Sequence, residues 1–219
     1  DLILLPMFLE PALQFGFVRR LDQQALGDEI HFLRDAATDC RKRNWLATDK
    51  GLLLRDEARS WLFDSANGLP ETDVHSVMVD REANVWCGTS RGVYLHVPGR
   101  VTNYGIGKSL PESLSKINCV LETHDRSIWM GGDGGLLRLF DGDPLRLTRA
   151  DGLPSDVVRC LLELPSGDIL IGTDDGLTVW TGQGFESAPS TLTPPEPRIT
   201  AMLQAKDRSY WAATRGGLL

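Results

Sequence analysis

Two sets of polar residues recur at regular intervals along the chain and could together bind a ligand. The first set follows the residue that opens each of five short apolar runs, and it consists of His31, His75, Asn118, Arg159 and Thr200. The second set lies in the variable positions of five glycine-containing turns, and it consists of Lys50, Arg91, Asp133, Asp174, Asp175 and Arg215. These side chains offer hydrogen-bond donors and acceptors, which suits a polyhydroxylated or anionic small molecule such as a carbohydrate. The alternative is that the turn residues face solvent and the inner polar groups satisfy one another, because Asp, Gly and Ser favour turns for backbone reasons.

Catalytic chemistry finds little support in the same residues. The sequence contains no Gly-x-Ser-x-Gly elbow, Walker-type loop or His-Glu-x-x-His helix. His31 and His75 could form a metal or acid/base pair, but no carboxylate shares their position in the repeat. We therefore predict no catalytic residue, no metal site and no cofactor. An enzyme of the lyase or quinoprotein type and a protein-interaction scaffold are the competing functions.

Composition excludes one class of partner. The formal net charge is −7 at pH 7. Such a chain lacks the positive electrostatic potential that attracts a polyanion, so we predict no nucleic-acid partner. The four cysteines lack the close spacing of a zinc site. Cys119 and Cys160 share a position at which other repeats carry Ser76 or Ala201, so we expect a small side chain to be required there rather than a disulfide.

A repeated sequence positions both sets. Its clearest copy runs from Trp86 to Val93, and the equivalent anchor residues are Trp45, Trp86, Trp129, Leu170 and Trp211, at steps of 41, 43, 41 and 41 residues. A fixed period of this size is typical of repeat architectures. A glycine at the sixth position after each anchor indicates a tight turn between two strands. We expect the anchor tryptophan to pack between repeats, where it buries roughly 150–250 Å².

Each repeat is predicted to form four short antiparallel strands, A to D. Strand A is the apolar run before the anchor, and its first residues are Ile30, Val74, Ile117, Val158 and Ile199. Four antiparallel strands every ~40 residues match one blade of a β-propeller. The predicted blades cover about 30–64, 74–105, 117–148, 158–186 and 199–219. Residues 14–20 are a candidate closing strand, and residues 1–13 a candidate remnant of a signal peptide.

With the repeat written out, the chain resembles the two-component regulator propeller family. The resemblance is carried by Asn67-Gly68-Leu69-Pro70, by Val74 at the start of strand A, and by Trp86-x-Gly88-Thr89-x-x-Gly92-Val93. A second close match runs from Asp151-Gly152-Leu153-Pro154 to Gly172-Thr173-Asp174-Asp175-Gly176-Leu177, and the resemblance covers about residues 25–219.

The resemblance implies the ligand-sensing ectodomain of a bacterial receptor, outside the cytoplasmic membrane and attached to it in the full-length protein. It implies that an immunoglobulin-like domain, a membrane span and a histidine kinase or diguanylate cyclase follow, with homodimerisation as an option. None of these output parts lies within the present sequence. Family propellers are expected to have seven blades. The five repeats here predict part of such a propeller, with a closed five-blade ring as the alternative.

Overall fold

β-strands are the main regular structure in the described part of the chain. The computed structural model describes residues 30–57, 59–66, 68–69, 71–97, 100–105, 110, 114–140, 143–189, 197–205, 207–214 and 216–218. Within them the strands are accompanied by one 3₁₀ turn, Arg149–Asp151, and no helix is long and apolar enough to cross a membrane. The predicted segments 1–13 and 14–20 lie outside the described residues. The chain divides into two compact units, Asp1–Glu112 and Ser113–Leu219.

The first unit contains two four-stranded antiparallel sheets, in which each strand pairs with the next along the chain. Blade 1 consists of β1 (Leu33–Thr38), β2 (Asn44–Thr48), β3 (Gly51–Arg55) and β4 (Ser60–Phe63). Blade 2 consists of β5 (Val74–Val79), β6 (Val85–Thr89), β7 (Gly92–Val97) and β8 (Arg100–Gly105).

The second unit contains three sheets of the same topology. Blade 3 consists of β9 (Ser115–Glu122), β10 (Ile128–Asp133), β11 (Gly135–Phe140) and β12 (Asp143–Leu147). Blade 4 consists of β13 (Val158–Glu163), β14 (Ile169–Thr173), β15 (Gly176–Trp180) and β16 (Phe185–Ser187). Blade 5 consists of β17 (Ile199–Gln204), β18 (Tyr210–Thr214) and β19 (Gly217–Leu218).

One predicted strand was misplaced. We predicted that strand A of the first repeat opens at Ile30, but β1 begins at Leu33. Leu33 pairs with Thr48, just as Val74 pairs with Thr89 in blade 2. His31 therefore lies before the strand, and Arg34 occupies the position that His75 has in the next blade.

Three anchor residues, Trp45, Trp129 and Leu170, pack against the following blade, as their spacing predicted. Trp45 is 2% exposed and lies in one cluster with Val74 and Val77 of blade 2. Trp129 lies in a cluster with Val158 and Leu161 of blade 4. Each ring removes a large apolar area from water, so this contact is a main source of stability between successive blades.

The last blade departs from this pattern. Leu170 is buried against Ile199 and Met202 of blade 5, but Trp211 is 42% exposed. Trp211 therefore does not share the burial of the other four anchor residues in the described part of the chain.

The turn between the second and third strands is fixed by a threonine in four blades. The Thr89 hydroxyl donates to Gly92 O (3.1 Å) and accepts from Arg91 N (3.1 Å). Thr48, Thr173 and Thr214 make the same contacts in their blades. The prediction that these threonines are structural is confirmed, because their hydroxyls satisfy the turn backbone.

Candidate functional site

A β-bulge interrupts the first strand of every blade. In blade 2 the register passes from the Val74–Thr89 pair directly to the Ser76–Gly88 pair, so His75 has no partner in the ladder. The other four blades skip one residue at the same point. The residues skipped in blades 1 to 5 are Arg34, His75, Asn118, Arg159 and Thr200. A bulge bends the strand and redirects the extra side chain, and bulges are common beside binding sites.

Four of the five residues predicted at this repeat position are bulge residues, and the fifth, His31, is not. The His31 backbone N–H instead donates to Asp49 Oδ1 (3.1 Å), a contact that ties the residues before β1 to the turn after β2. Arg34 is the functional candidate that the sequence analysis missed. The distance to the anchor residue could have identified Arg34. Leu33 lies twelve residues before Trp45, just as Val74 lies twelve residues before Trp86, so Arg34 is equivalent to His75.

In the first unit the bulge residues of two blades converge on one carboxylate. The Arg34 guanidinium donates to Asp73 Oδ1 through Nη2 (2.8 Å) and Nε (3.1 Å). His75 Nε2 lies 3.6 Å from Asp73 Oδ2. Asp73 immediately precedes β5 and is a second group that sequence reasoning missed. The three side chains form a partly buried array of donors and acceptors that spans blades 1 and 2.

The turn residues Lys50 and Arg91 of the first unit are more exposed to solvent than this array. Arg91 Nε is 3.2 Å from Glu71 Oε2, but the Arg91 side chain is 80% exposed. Lys50 is exposed as well. An ion pair in that environment contributes little to stability, so both cations are available to a ligand at small cost.

In blade 3 the two predicted positions meet. Asn118 Nδ2 donates to Asp133 Oδ1 (3.0 Å) and to Val158 O of blade 4 (2.9 Å). The bulge residue and the turn residue of one blade are thus joined, and the same amide reaches the first strand of the next blade.

Blade 4 repeats this pairing with charged groups. Arg159 donates to both oxygens of Asp174, through Nε (2.8 Å) and Nη2 (2.9 Å). Arg198, immediately before β17, places its Nε 3.1 Å from Asp174 Oδ1, although that N–H is not aligned for a hydrogen bond. The hydrogen bonds from Arg159 lower the pKa of Asp174 despite partial burial, and the Arg198 charge acts in the same direction. The same hydrogen bonds raise the pKa of Arg159, so both groups are charged at neutral pH.

The remaining predicted residues are dispersed. Asp175 is exposed and lies 3.4 Å from Arg149 Nη1. The Thr200 hydroxyl donates to Ala213 O (3.2 Å), and Arg215 lies outside the described residues. Within the second unit the structure therefore brings together Asn118 with Asp133 and Arg159 with Asp174, whereas Asp175 and Thr200 contact other groups.

Chemically, these arrays present preformed hydrogen-bonding groups. The paired groups already make hydrogen bonds or ion pairs within the protein. A polar ligand would therefore have to replace those contacts. In the part of the chain that the structure describes, no group of three His, Cys, Asp or Glu side chains is placed to hold a metal ion.

No protein-family model and no curated protein matches the sequence, but solved structures do. The extracellular domain of BT3049 from B. thetaiotaomicron, assigned to a hybrid two component system, matches with a TM-score of 0.74 and 21% identity over 85% of this chain. The extracellular domain of BT4673, assigned to a hybrid two component system in the same organism, matches with a TM-score of 0.70 and 22% identity over 88% of this chain. The chain spans only 27% of each of these domains.

Enzymes of the same fold also match at lower identity. Virginiamycin B lyase from Staphylococcus aureus has a TM-score of 0.62 and 11% identity, and the match covers 84% of this chain and 67% of the lyase. At these identities the likeness concerns the fold. The chain is therefore an all-β protein of β-propeller blades, and it shares this fold with the extracellular domains of two-component-system sensors, as the sequence repeat predicted.

Proposed function

We propose that this chain is a ligand-sensing, non-catalytic propeller region of a bacterial receptor that faces the extracytoplasmic space. The fold shared with the BT3049 and BT4673 extracellular domains supports a sensory role. In this proposal the full-length receptor is attached to the inner membrane and carries a histidine kinase or diguanylate cyclase output domain.

The variable type of the bulge residue carries the proposal. The rest of each blade follows one pattern of turns and apolar contacts, whereas the bulge residue is in turn Arg, His, Asn, Arg and Thr. A residue outside the hydrogen-bond ladder can change type without disturbing strand pairing. Sequence variation at positions outside the ladder is what a ligand-reading surface requires.

The ligand class follows from the side chains. Guanidinium and imidazole groups bind carboxylates and hydroxyls, and the Asn118 amide and Asp133 carboxylate suit sugar hydroxyls. We propose a polyhydroxylated or anionic small molecule, with an oligosaccharide as the first candidate. Lys50, Arg91 and Asp175 would contribute from the exposed turns.

A thermal-shift screen tests the site. Wild type and the His75→Ala/Arg159→Ala double variant are heated with a panel of neutral and uronic-acid-containing oligosaccharides. A ligand that binds the folded state raises Tm by mass action, so we expect a concentration-dependent rise in wild type that shrinks in the double variant. Arg41→Ala, on an exposed turn after β1, is the charge-matched control and should respond as wild type does. Equal shifts in wild type and the double variant would remove these residues from the site.

The receptor context has its own test. The coding sequence on either side of these 219 residues should encode a membrane span and a kinase or cyclase domain. Flanking sequence that encodes a hydrolytic or lyase domain instead would contradict the sensory role, whatever the thermal-shift result.

A further inference from the structure

Two arginines in the second unit share one carboxylate. Arg159 of blade 4 donates to both oxygens of Asp174, through Nε (2.8 Å) and Nη2 (2.9 Å). Arg198, which immediately precedes β17, places its Nε 3.1 Å from Asp174 Oδ1. In the first unit, by contrast, the one arginine Arg34 pairs with Asp73. The junction of blades 4 and 5 therefore holds one more guanidinium group than the Asp174 carboxylate can neutralise.

The Arg198 guanidinium group has unused hydrogen-bond donors. Its Nε is buried, yet among the described residues no acceptor forms a hydrogen bond with the group. The side chain as a whole is 39% exposed, so other atoms of it are open to solvent. The neighbouring turn residue Asp175 pairs with Arg149 (3.4 Å) and does not compensate Arg198. A buried N–H without an acceptor is costly, so this arrangement requires an explanation.

The Asn118–Asp133 pair adjoins these charges. Asp133 forms an isolated β-bridge with Val157, and Asp174 N donates to Val157 O (3.1 Å). The Asn118 amide donates to the next carbonyl group, Val158 O (2.9 Å). The turn residues of blades 3 and 4 are therefore both fixed against Val157, and this brings the two pairs side by side.

The two pairs differ in chemistry. Arginine guanidinium groups match a planar carboxylate, which accepts two parallel N–H bonds. The charge of Asp133 helps to raise the pKa of Arg159, which leaves Arg198 as the less compensated of the two cations. The Asn118 hydrogen bond uses Asp133 Oδ1, so Oδ2 can accept from a hydroxyl group. A ligand that satisfies both pairs carries a carboxylate close to hydroxyl groups.

We propose that Arg198 determines ligand specificity in this region by binding a carboxylate group, while Asn118 and Asp133 bind neighbouring hydroxyl groups. The ligand is then an acidic saccharide and not a neutral one. Asp174 is a positioning residue, because it holds the Nε end of Arg198 and leaves the terminal Nη groups for the ligand. This inference rests on the proposed function, since it narrows the ligand class of the same sensory region.

Isothermal titration calorimetry with the full 219-residue chain tests the carboxylate contact. The two probes are trigalacturonic acid and its methyl ester, which has the same hydroxyl groups without the charge. Wild type should bind the acid about tenfold more tightly than the ester, because a hydrogen bond to a charged group is stronger than one to a neutral group. Added NaCl should weaken binding of the acid and leave binding of the ester unchanged.

Arg198→Gln removes the charge and keeps a polar side chain. Its affinity for the acid should fall about tenfold, to that of the ester, since only the charged hydrogen bonds are lost. Its Tm without ligand should stay close to that of wild type, because the deleted Nε–H has no acceptor. Arg208→Gln, on the exposed turn after β17, is the matched control and should bind both probes as wild type does.

Equal affinity of wild type for the acid and the ester, or an acid affinity that Arg198→Gln does not change, would overturn this inference. Binding of the ester in that case would leave the proposed ligand-sensing function intact. A lower Tm with equal loss of both probes would show a purely structural role for Arg198. Failure of both probes and of the oligosaccharide panel would overturn both proposals.

Gluconate is a third probe, and it separates two sources of the same chemistry. This single sugar acid offers a carboxylate beside hydroxyl groups without a saccharide chain. Gluconate binding that is as tight as that of the trigalacturonic acid and is lost in Arg198→Gln would support the carboxylate contact and overturn the requirement for an oligosaccharide. Much weaker gluconate binding would support the acidic saccharide.

Discussion

The Trp86 indole and the Asp80 carboxylate are joined by a hydrogen bond from Nε1 to Oδ2 of 2.8 Å at the buried end of blade 2. The equivalent Trp45 indole donates to Asp39 Oδ2 in blade 1 (3.2 Å). Asp80 also accepts from the backbone and side chain of Asn84. One carboxylate thus closes the turn between two strands and satisfies the only polar atom of the anchor side chain.

Replacing Asp80 with Ala leaves the Trp86 N–H buried without an acceptor and opens the turn. We expect a loss of about 2–3 kcal/mol in the free energy of unfolding, because an unsatisfied buried donor carries its full desolvation cost. Urea titration followed by tryptophan fluorescence measures the change. Asp80→Asn retains one acceptor oxygen and should lose less than half as much; an equal loss in both variants would show that charge, and not the hydrogen bond, matters.

Gly172 marks a point at which two blades approach closely. A Cβ there would lie 2.5 Å from Cys160 Sγ and 2.9 Å from Ile199 Cγ2 of blade 5. Gly172→Ala should therefore destabilise the second unit by about 2–3 kcal/mol through overpacking. Gly184→Ala is the matched control, since no atom lies within 4 Å of its added Cβ, and its denaturation midpoint should remain close to that of wild type.

The turn between the first two strands holds a residue at positive φ in each blade. Ala83 has φ 64°, and the equivalent position in blade 4 is Gly167 at φ 89°. An L-residue in this conformation costs roughly 1–2 kcal/mol, part of which the greater freedom of an unfolded glycine offsets. Ala83→Gly should stabilise the chain by about 0.5–1 kcal/mol, measured by urea denaturation. A destabilised variant would contradict the assignment of strain to this turn.

His96 provides a pH effect in the first unit. Its ring packs across the interface of blades 1 and 2 against Trp45 (5.5 Å between centroids) and Phe63 (5.0 Å). Burial, and then the charge of Arg43, lower the pKa of His96 below 6.5. The folded chain therefore binds this proton less tightly than the unfolded chain, and stability is lost as pH falls below 6.5.

His96→Phe should preserve the ring packing and remove this loss. The measurement is the difference in Tm between variant and wild type at pH 7.5 and at pH 5.0, which cancels the contributions of groups that the two proteins share. We expect the variant to gain relative to wild type at the lower pH. A constant difference would show that His96 does not titrate in this range.

The regular part of the fold could be predicted from the sequence because it repeats. Anchor spacing located the five sheets, and the recurring glycine, with a threonine in four of the repeats, identified the turns. The first strand of blade 1 was predicted to begin too early because Arg34 and Asp35 lie near its true start and hide the apolar pattern. Arg34 is the bulge residue, and the Asp35 carboxylate accepts a hydrogen bond from Val77 N of blade 2. The apolar pattern therefore fails at the positions of chemical interest.

The partners within the site could not be predicted in the same way. Asp73 and Arg198 lie in connections whose sequences differ between repeats, and their contacts with Arg34 and Asp174 depend on how each connection folds back on its blade. Periodicity gives the position of a side chain in the repeat. It gives no information about which group from a variable loop will meet that side chain.

The recurring bulge also affects how such a protein can evolve. Copying one forty-residue unit copies a side chain that takes no part in strand pairing, and mutation can then exchange it while the ladder is kept. A new recognition chemistry can therefore be assembled from single codon changes in five separate places, while the strand pairing beneath remains intact.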